Sequence, residues 1–199
     1  MTPRTLAPRT LAPRTAAVLL AIAAAPLVAC GSVDSSAQSP VASGPGGGSP
    51  AGTVAPDFTG RDLQGKTFRL SDHLGKDVIL LDFWSTYCEP CKAEFPHLQT
   101  MYEQARAHGL LVVAVAMDGP ETAADIPAFV KRMDIHFPVV LDDDSRIASL
   151  YNPKKSMPLS VLISKTGRIS VVREGYNPGD EKLVQADVTK ELDQTAAPH

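Results

Sequence analysis

Between residues 54 and 195 the chain alternates short, solid apolar runs with longer stretches of helical period. Val78-Ile79-Leu80-Leu81 is a continuous apolar run, the pattern of a strand covered on both faces of a central sheet. From Pro90 to about His108 the apolar positions Phe95, Leu98, Met101, Tyr102 and Ala105 recur at helical spacing. Pro96 lies inside that helix and should kink it, because it has no N–H for the carbonyl of Lys92; Gly109 ends it. Leu110–Met117 reads as a second buried strand, followed by a helix begun around Glu121 and continued by Ile126–Met133. A strand at Phe137–Leu141 and a short helix at about Asp144–Tyr151 come next. Leu159–Ser164 and Arg168–Arg173 read as strands joined by the turn Lys165-Thr166-Gly167, and a last helix runs from about Asp180 to Leu192. Ahead of all these, Gly60 and Gly65 punctuate Phe58, Phe68 and Leu70, the signature of a short hairpin. The alternation predicts an α/β fold, a central sheet with helices on both faces. The closing hairpin adds antiparallel strands and makes the sheet mixed.

The first 53 residues follow a different pattern. LAPRT occurs at 6–10 and again at 11–15; with a proline in each copy it is a basic leader, not a structural repeat. Ala16 to Val28 carries no charge and is dominated by Ala, Val, Leu and Ile, the h-region of an export signal. It is shorter than the roughly 20 apolar residues a spanning helix needs. The run ends in Leu27-Val28-Ala29-Cys30-Gly31, which resembles the bacterial lipoprotein cleavage box and implies cleavage before Cys30 and acylation of its sulfur. The alternatives are a soluble-export signal followed by an ordinary cysteine, and an uncleaved anchor. The anchor would put the rest of the chain in the same compartment, since the Arg-rich start stays on the cytoplasmic side. Residues 31–53 are Gly, Ser, Pro and Ala with a single charge, a flexible tether spanning on the order of 25–30 Å. The expected organisation is a signal at 1–29, a lipidated cysteine and tether at 30–53, one domain at 54–195, and a tail at 196–199.

Composition narrows the function. The 199 residues are 44% hydrophobic and 21% charged, ordinary for one soluble domain with extras. Net charge is −3. Without Arg4, Arg9 and Arg14 the balance is 16 basic residues against 22 acidic, so nothing suggests the basic patch of a nucleic-acid binder. Three cysteines are present, Cys30, Cys88 and Cys91, and the odd one is the candidate for lipid.

The chemistry concentrates in Asp82-Phe83-Trp84-Ser85-Thr86-Tyr87-Cys88-Glu89-Pro90-Cys91-Lys92-Ala93-Glu94-Phe95-Pro96, where the buried strand gives way to the kinked helix. Cysteines at i and i+3 across a first helical turn lie close enough to form a disulfide. The first of them meets the free N–H groups and positive end of the helix, which favours thiolate. Pro90 suits the first turn, where its missing N–H would be unpaired anyway. Cys88 is therefore expected at an exposed tip as the nucleophile, with Cys91 one turn deeper to resolve the mixed disulfide. Half a zinc site is the other reading of such a pair, but there is no second Cys pair and His97 alone does not complete four ligands. No metal and no cofactor is expected.

The 88–96 segment resembles thioredoxin, and more closely the membrane-anchored TlpA/ResA subgroup of the thioredoxin superfamily, which has the Cys-Glu-Pro-Cys-Lys-x-Glu-Phe-Pro pattern found here. The likeness runs from about Val54 to Leu192 and includes a helical insertion after strand 110–117. It implies a thioredoxin-like fold and thiol–disulfide exchange outside the cytoplasm. Its partners would be exported protein thiols and disulfides, apocytochrome c among them, with an upstream electron donor in the membrane. It also implies a cis-proline at Met157-Pro158 facing the disulfide, although Leu159-Ser160 stands where the family usually has Thr. Thioredoxins carry an acid at the spacing of Asp82, six before the first cysteine, where many ResA-like proteins have Asn. In ResA-like relatives an acid at the place of Glu94 tunes the cysteines.

The residues themselves point the same way. Asp82 follows a solid apolar run, so ionising it is costly and its pKa should rise, which suits it to take the proton of Cys91; a strand-end Asp bonded to backbone is the bland alternative. Glu94 is one turn beyond Cys91 on the same helical face, against the alternative of an exposed helix Glu. Glu89 adds negative charge near the thiolate and favours a reductant over an oxidant. Trp84 and Tyr87 flank the site as candidate contact surface, or else as partial core; with Pro90, Met157 and Pro158 they make the expected substrate-binding set. A thiol peroxidase of the peroxiredoxin type and a copper-binding chaperone are the competing functions. The first would need a Thr or Ser and an Arg around one cysteine, which Thr86-Tyr87-Cys88 imitates poorly. The second usually has cysteines spaced more widely.

Overall fold

The structure, a computed structural model, describes residues 49–196. Cys30, the expected signal and most of the expected tether lie outside the described residues. Among the described residues no helix is long and apolar enough to cross a membrane.

Seven strands form one mixed sheet: β1 (Thr59–Asp62), β2 (Thr67–Arg69), β3 (Val78–Trp84), β4 (Leu110–Ala116), β5 (Val139–Leu141), β6 (Leu159–Ile163) and β7 (Ile169–Glu174). Their spatial order is β2-β1-β5-β4-β3-β6-β7. The inner strands β3, β4 and β5 run parallel, while β6 is antiparallel to β3 and β7 to β6. Four helices accompany them: α1 (Glu89–Ala105), α2 (Ile126–Arg132), α3 (Arg146–Tyr151) and α4 (Glu181–Ala196). Strand β3 is buried at every position, which explains its unbroken apolar run.

Alternation along β3 divides the core in two. Val78, Leu80 and Trp84 join Cys91, Phe95 and Leu98 of α1 and Val184 and Val188 of α4. Ile79, Leu81 and Phe83 point the other way, toward Phe58, Ile147 and Tyr151. Asp82 shares the parity of Leu80 and Trp84, so the period of the strand sends a carboxyl into the face that carries α1. Ser160 of β6 lies opposite Asp82 in register, on that same face.

Element ends differ from expectation where proline intervenes. The helix expected from Glu121 starts at Ile126, after a 3-10 turn at Ala123–Asp125. Pro127 has no N–H and belongs in a first turn, not a middle one. The strand expected from Phe137 starts at Val139, because Pro138 contributes only its carbonyl, which accepts from Ala114 N–H at 2.9 Å. Pro96 stays within α1, as expected, and Gly109 closes the following 3-10 turn with φ 93°, a conformation glycine adopts freely. The folded part also begins earlier than Val54: Gly52 N–H donates to Ile169 O at 2.7 Å and Ile169 N–H to Thr53 O at 2.9 Å. These bonds cover the start of the edge strand β7.

Candidate active site

Strand β3 ends at Trp84, and after three intervening residues Cys88 caps α1. Its backbone is extended, with φ −86° and ψ 101°, and its sulfur accepts from Cys91 N–H at 3.3 Å. Helix amides are unpaired over this turn, so the sulfur sits where positive potential gathers. Cys88 and Cys91 form a disulfide with Cα atoms 5.3 Å apart. The tip is less open than expected: Cys88 is 7% exposed and Cys91 fully buried. Of the two, Cys88 alone keeps any exposure, the arrangement expected if Cys88 attacks and Cys91 resolves.

Behind the cysteines lies a buried polar group of three. Ser160 Oγ is 3.4 Å from Asp82 Oδ1 and 3.5 Å from Glu94 Oε1. Asp82 is fully buried and Glu94 is 3% exposed, so the acid one turn past Cys91 points inward, not to solvent. Among the described residues Asp82 Oδ2 and Glu94 Oε2 find no hydrogen-bond partner. Burial pushes the Asp82 carboxyl well above the usual carboxylate range, the charge of Glu94 adds to the rise, and the Ser160 bond opposes it. Glu94 is pushed up to about 7, first by burial, with Ser160 opposing and the charge of Asp180 adding. Glu94 thus exchanges its proton near neutrality, and Asp82 holds its own above the usual carboxylate range.

The outer surface departs from expectation at two points. Trp84 is not contact surface: it is fully buried, with its ring 4.7 Å from Phe95 and 4.9 Å from Phe129, centroid to centroid. The parity of β3 puts it in the core beneath α1. Glu89 does not bring a lone charge to the thiolate, because Lys92 Nζ pairs with it at 2.7 Å. Tyr87 is 58% exposed and Pro90 is exposed, so both are available to a partner. The Met157–Pro158 peptide is cis. Pro158 is buried, its carbonyl accepting from Gly175 N–H at 2.8 Å; Met157 is the half-buried member of the pair. The loop before it is shaped by Asn152, whose side chain bonds both the N–H and the carbonyl of Ser156.

Three members of this constellation were not expected from sequence: Ser160, Asn152 and Asp118. Asp118, just past β4, accepts from Thr86 N–H at 3.1 and 3.0 Å, and the Thr86 hydroxyl donates to it as well. A polar residue that breaks an apolar strand (Ser160) or ends one (Asp118) is the only signal that marks them in the sequence.

A strand-to-helix dithiol on a mixed sheet, backed by buried acids, has known counterparts. Residues 51–172 match the AhpC/TSA family. The chain belongs to that family. It is 38% identical over 124 residues to the thiol-disulfide oxidoreductase ResA of Bacillus subtilis (strain 168), covering 62% of this chain and 67% of that protein. Against ResA of Geobacillus kaustophilus identity is 35% over 124 residues, 62% of this chain and 69% of that one. Among solved structures, a putative thiol:disulfide interchange protein DsbE from Chlorobium tepidum superposes with TM-score 0.66 and 32% identity, over 72% of this chain and 98% of that one. The fold is thioredoxin-like, and this AhpC/TSA-family protein is a thiol–disulfide oxidoreductase whose redox pair is Cys88–Cys91.

Proposed function

We propose that the protein donates electrons to disulfides of exported polypeptides, outside the cytoplasm, held to a membrane by lipid on Cys30. In its reduced form Cys88 thiolate attacks one sulfur of the substrate disulfide, and the other substrate sulfur leaves as thiolate. Cys91, losing its proton, then attacks Cys88 Sγ and expels the second substrate thiolate. Two electrons pass to the substrate, and the Cys88–Cys91 disulfide remains. An upstream donor in the membrane restores the dithiol. Disulfide-bonded exported proteins, apocytochrome c among them, are the substrate class. Tyr87 and Pro90, which are exposed, together with half-buried Met157, form the contact surface.

The direction rests on one observation, the buried Asp82–Ser160–Glu94 group, whose Glu94 lies one helical turn past Cys91. Acids there oppose build-up of thiolate, and Lys92, the one cation between Cys88 and Glu94, is already paired with Glu89. A dithiol whose thiolate is weakly stabilised is a better reductant. Equilibration with a graded glutathione series tests this. The expected potential lies well below the roughly −120 mV of strong oxidants, and a value in that region overturns the reading. The anchor is supported by the h-region and the box ending in Cys30. Mass spectrometry of the membrane fraction should find an acylated Cys30 as first residue; intact residue 1 or a bare Cys30 refutes it.

A further inference from the structure

Only Ser85, Thr86 and Tyr87 separate the end of β3 from Cys88. Ser85 is buried and its hydroxyl has no partner among the described residues; Tyr87 is largely exposed. Thr86, between them, is held from outside the turn, with its N–H shared between both oxygens of Asp118 and its hydroxyl donated to one of them. Asp118 is itself 3% exposed and lies two residues past the end of β4, the parallel neighbour of β3. The residue before it, Met117, donates its N–H to Trp84 O at 2.8 Å. The tip of β4 thus grips the β3–α1 turn at two successive points, Trp84 and Thr86.

We propose that Asp118 is a positioning residue for disulfide exchange, fixing the turn through Thr86 so that the Cys88 sulfur stays at the Cys91 amide when the disulfide is open. In the oxidised protein a covalent bond already holds Cys88 to Cys91. On reduction that bond is gone, and the contact of Sγ with the Cys91 N–H depends on Cys88 keeping its extended backbone at the head of α1. The Cys88 N–H bond to Ser85 O at 3.1 Å is internal to the turn and moves with it; the Asp118 bonds refer it to the sheet. A thiolate is favoured only while it stays on the helix amides, so a turn free to shift lowers the thiolate fraction. This rests on the exchange activity of the pair and is independent of the direction of electron flow.

The test follows iodoacetamide modification of Cys88 by peptide mass across a pH series, in the reduced full chain, with the glutathione equilibrium measured alongside. Thr86→Val removes the hydroxyl donor and keeps the N–H; alkylation at neutral pH should slow about threefold as the thiol pKa rises by about half a unit. Asp118→Ala removes both acceptors and should slow it about tenfold. Thr86→Ser should restore the unsubstituted profile. Either variant lowering Tm while the Cys88 profile stays in place reduces the contact to a brace and overturns the proposal. A fall in thiol pKa overturns it too, since the charge of Asp118 would then be the dominant effect. A Cys88 that never equilibrates with glutathione even in the unsubstituted chain refutes exchange itself, a result distinct from both.

Discussion

Ser160 stands between Asp82 and Glu94, its single hydroxyl 3.4 Å from one carboxyl and 3.5 Å from the other. One O–H donates to one acceptor at a time, and among the described residues Asp82 Oδ2 and Glu94 Oε2 find no partner. Two full charges in that space would lack both water and a counter-ion. The pair therefore keeps a proton near neutrality and titrates as a unit. Glu94 lies one turn along α1 from Cys91, so in the proposed mechanism the pair would accept the proton that Cys91 loses to resolve a mixed disulfide.

Resolution should accordingly show an inflection near pH 7, where Glu94 titrates. Glu94→Gln should flatten that inflection and slow the step about tenfold, less than the 10²-fold or more typical of losing a general base, because Asp82 remains. Single-turnover release of glutathione from Cys88 across a pH series reads it. A profile identical to the unsubstituted protein places the base elsewhere.

The same acids set the pH dependence of stability. A carboxyl raised in the folded state binds protons that the unfolded chain has already released, so stability is highest below the unfolded value and declines as pH rises toward the folded one. For Glu94 the window runs from 4.5 to about 7, and the loss across it is at most about 3 kcal/mol. Glu94→Gln should shrink that slope to the part Asp82 contributes, leaving the variant more stable than the parent at pH 8 by urea denaturation. A parent whose stability rises through this window contradicts the assignment.

Much of this was open to reading from the chain alone, and the rest was hidden for definite reasons. The dithiol, its strand-to-helix setting and the parallel inner strands are local patterns, written in Val78–Leu81 and in 88–96. Asp82 could be placed because the residues around it are apolar. Glu94 could not be oriented: its burial depends on Ser160, 66 residues away in sequence. Asp118 lies 32 residues from the Thr86 it holds, in no motif with it. Trp84 was ambiguous because a strand buried on both faces gives no alternation to say where the core stops.

Trp84 offers a sharp check on that correction. With its ring among Phe95 and Phe129, Trp84→Ala should cost about 3–5 kcal/mol by leaving a cavity. Its indole N–H is buried without a partner among the described residues, so Trp84→Phe discards a polar group that gains nothing there. That variant should cost far less, about 1–2 kcal/mol, and keep the exchange rate. A Trp84→Phe protein of full stability but weakened substrate reduction would return the indole to the contact surface.

The unequal exposure of the two sulfurs makes the order of events testable. Cys88 is 7% exposed and Cys91 has no exposure; on the proposed mechanism a substrate sulfur meets Cys88 first, and Cys91, one helical turn away, frees it. Cys91→Ser should accumulate mixed disulfides on Cys88 with exported proteins, stable to non-reducing electrophoresis and released by dithiothreitol. Cys88→Ser should accumulate few or none, because the remaining thiol is beneath the surface. Equal trapping by both variants means that the helix start opens enough on reduction to present Cys91. The assignment of nucleophile and resolver would then have to be drawn from the reduced protein, where the hold of Asp118 on the turn decides how far Cys88 can move.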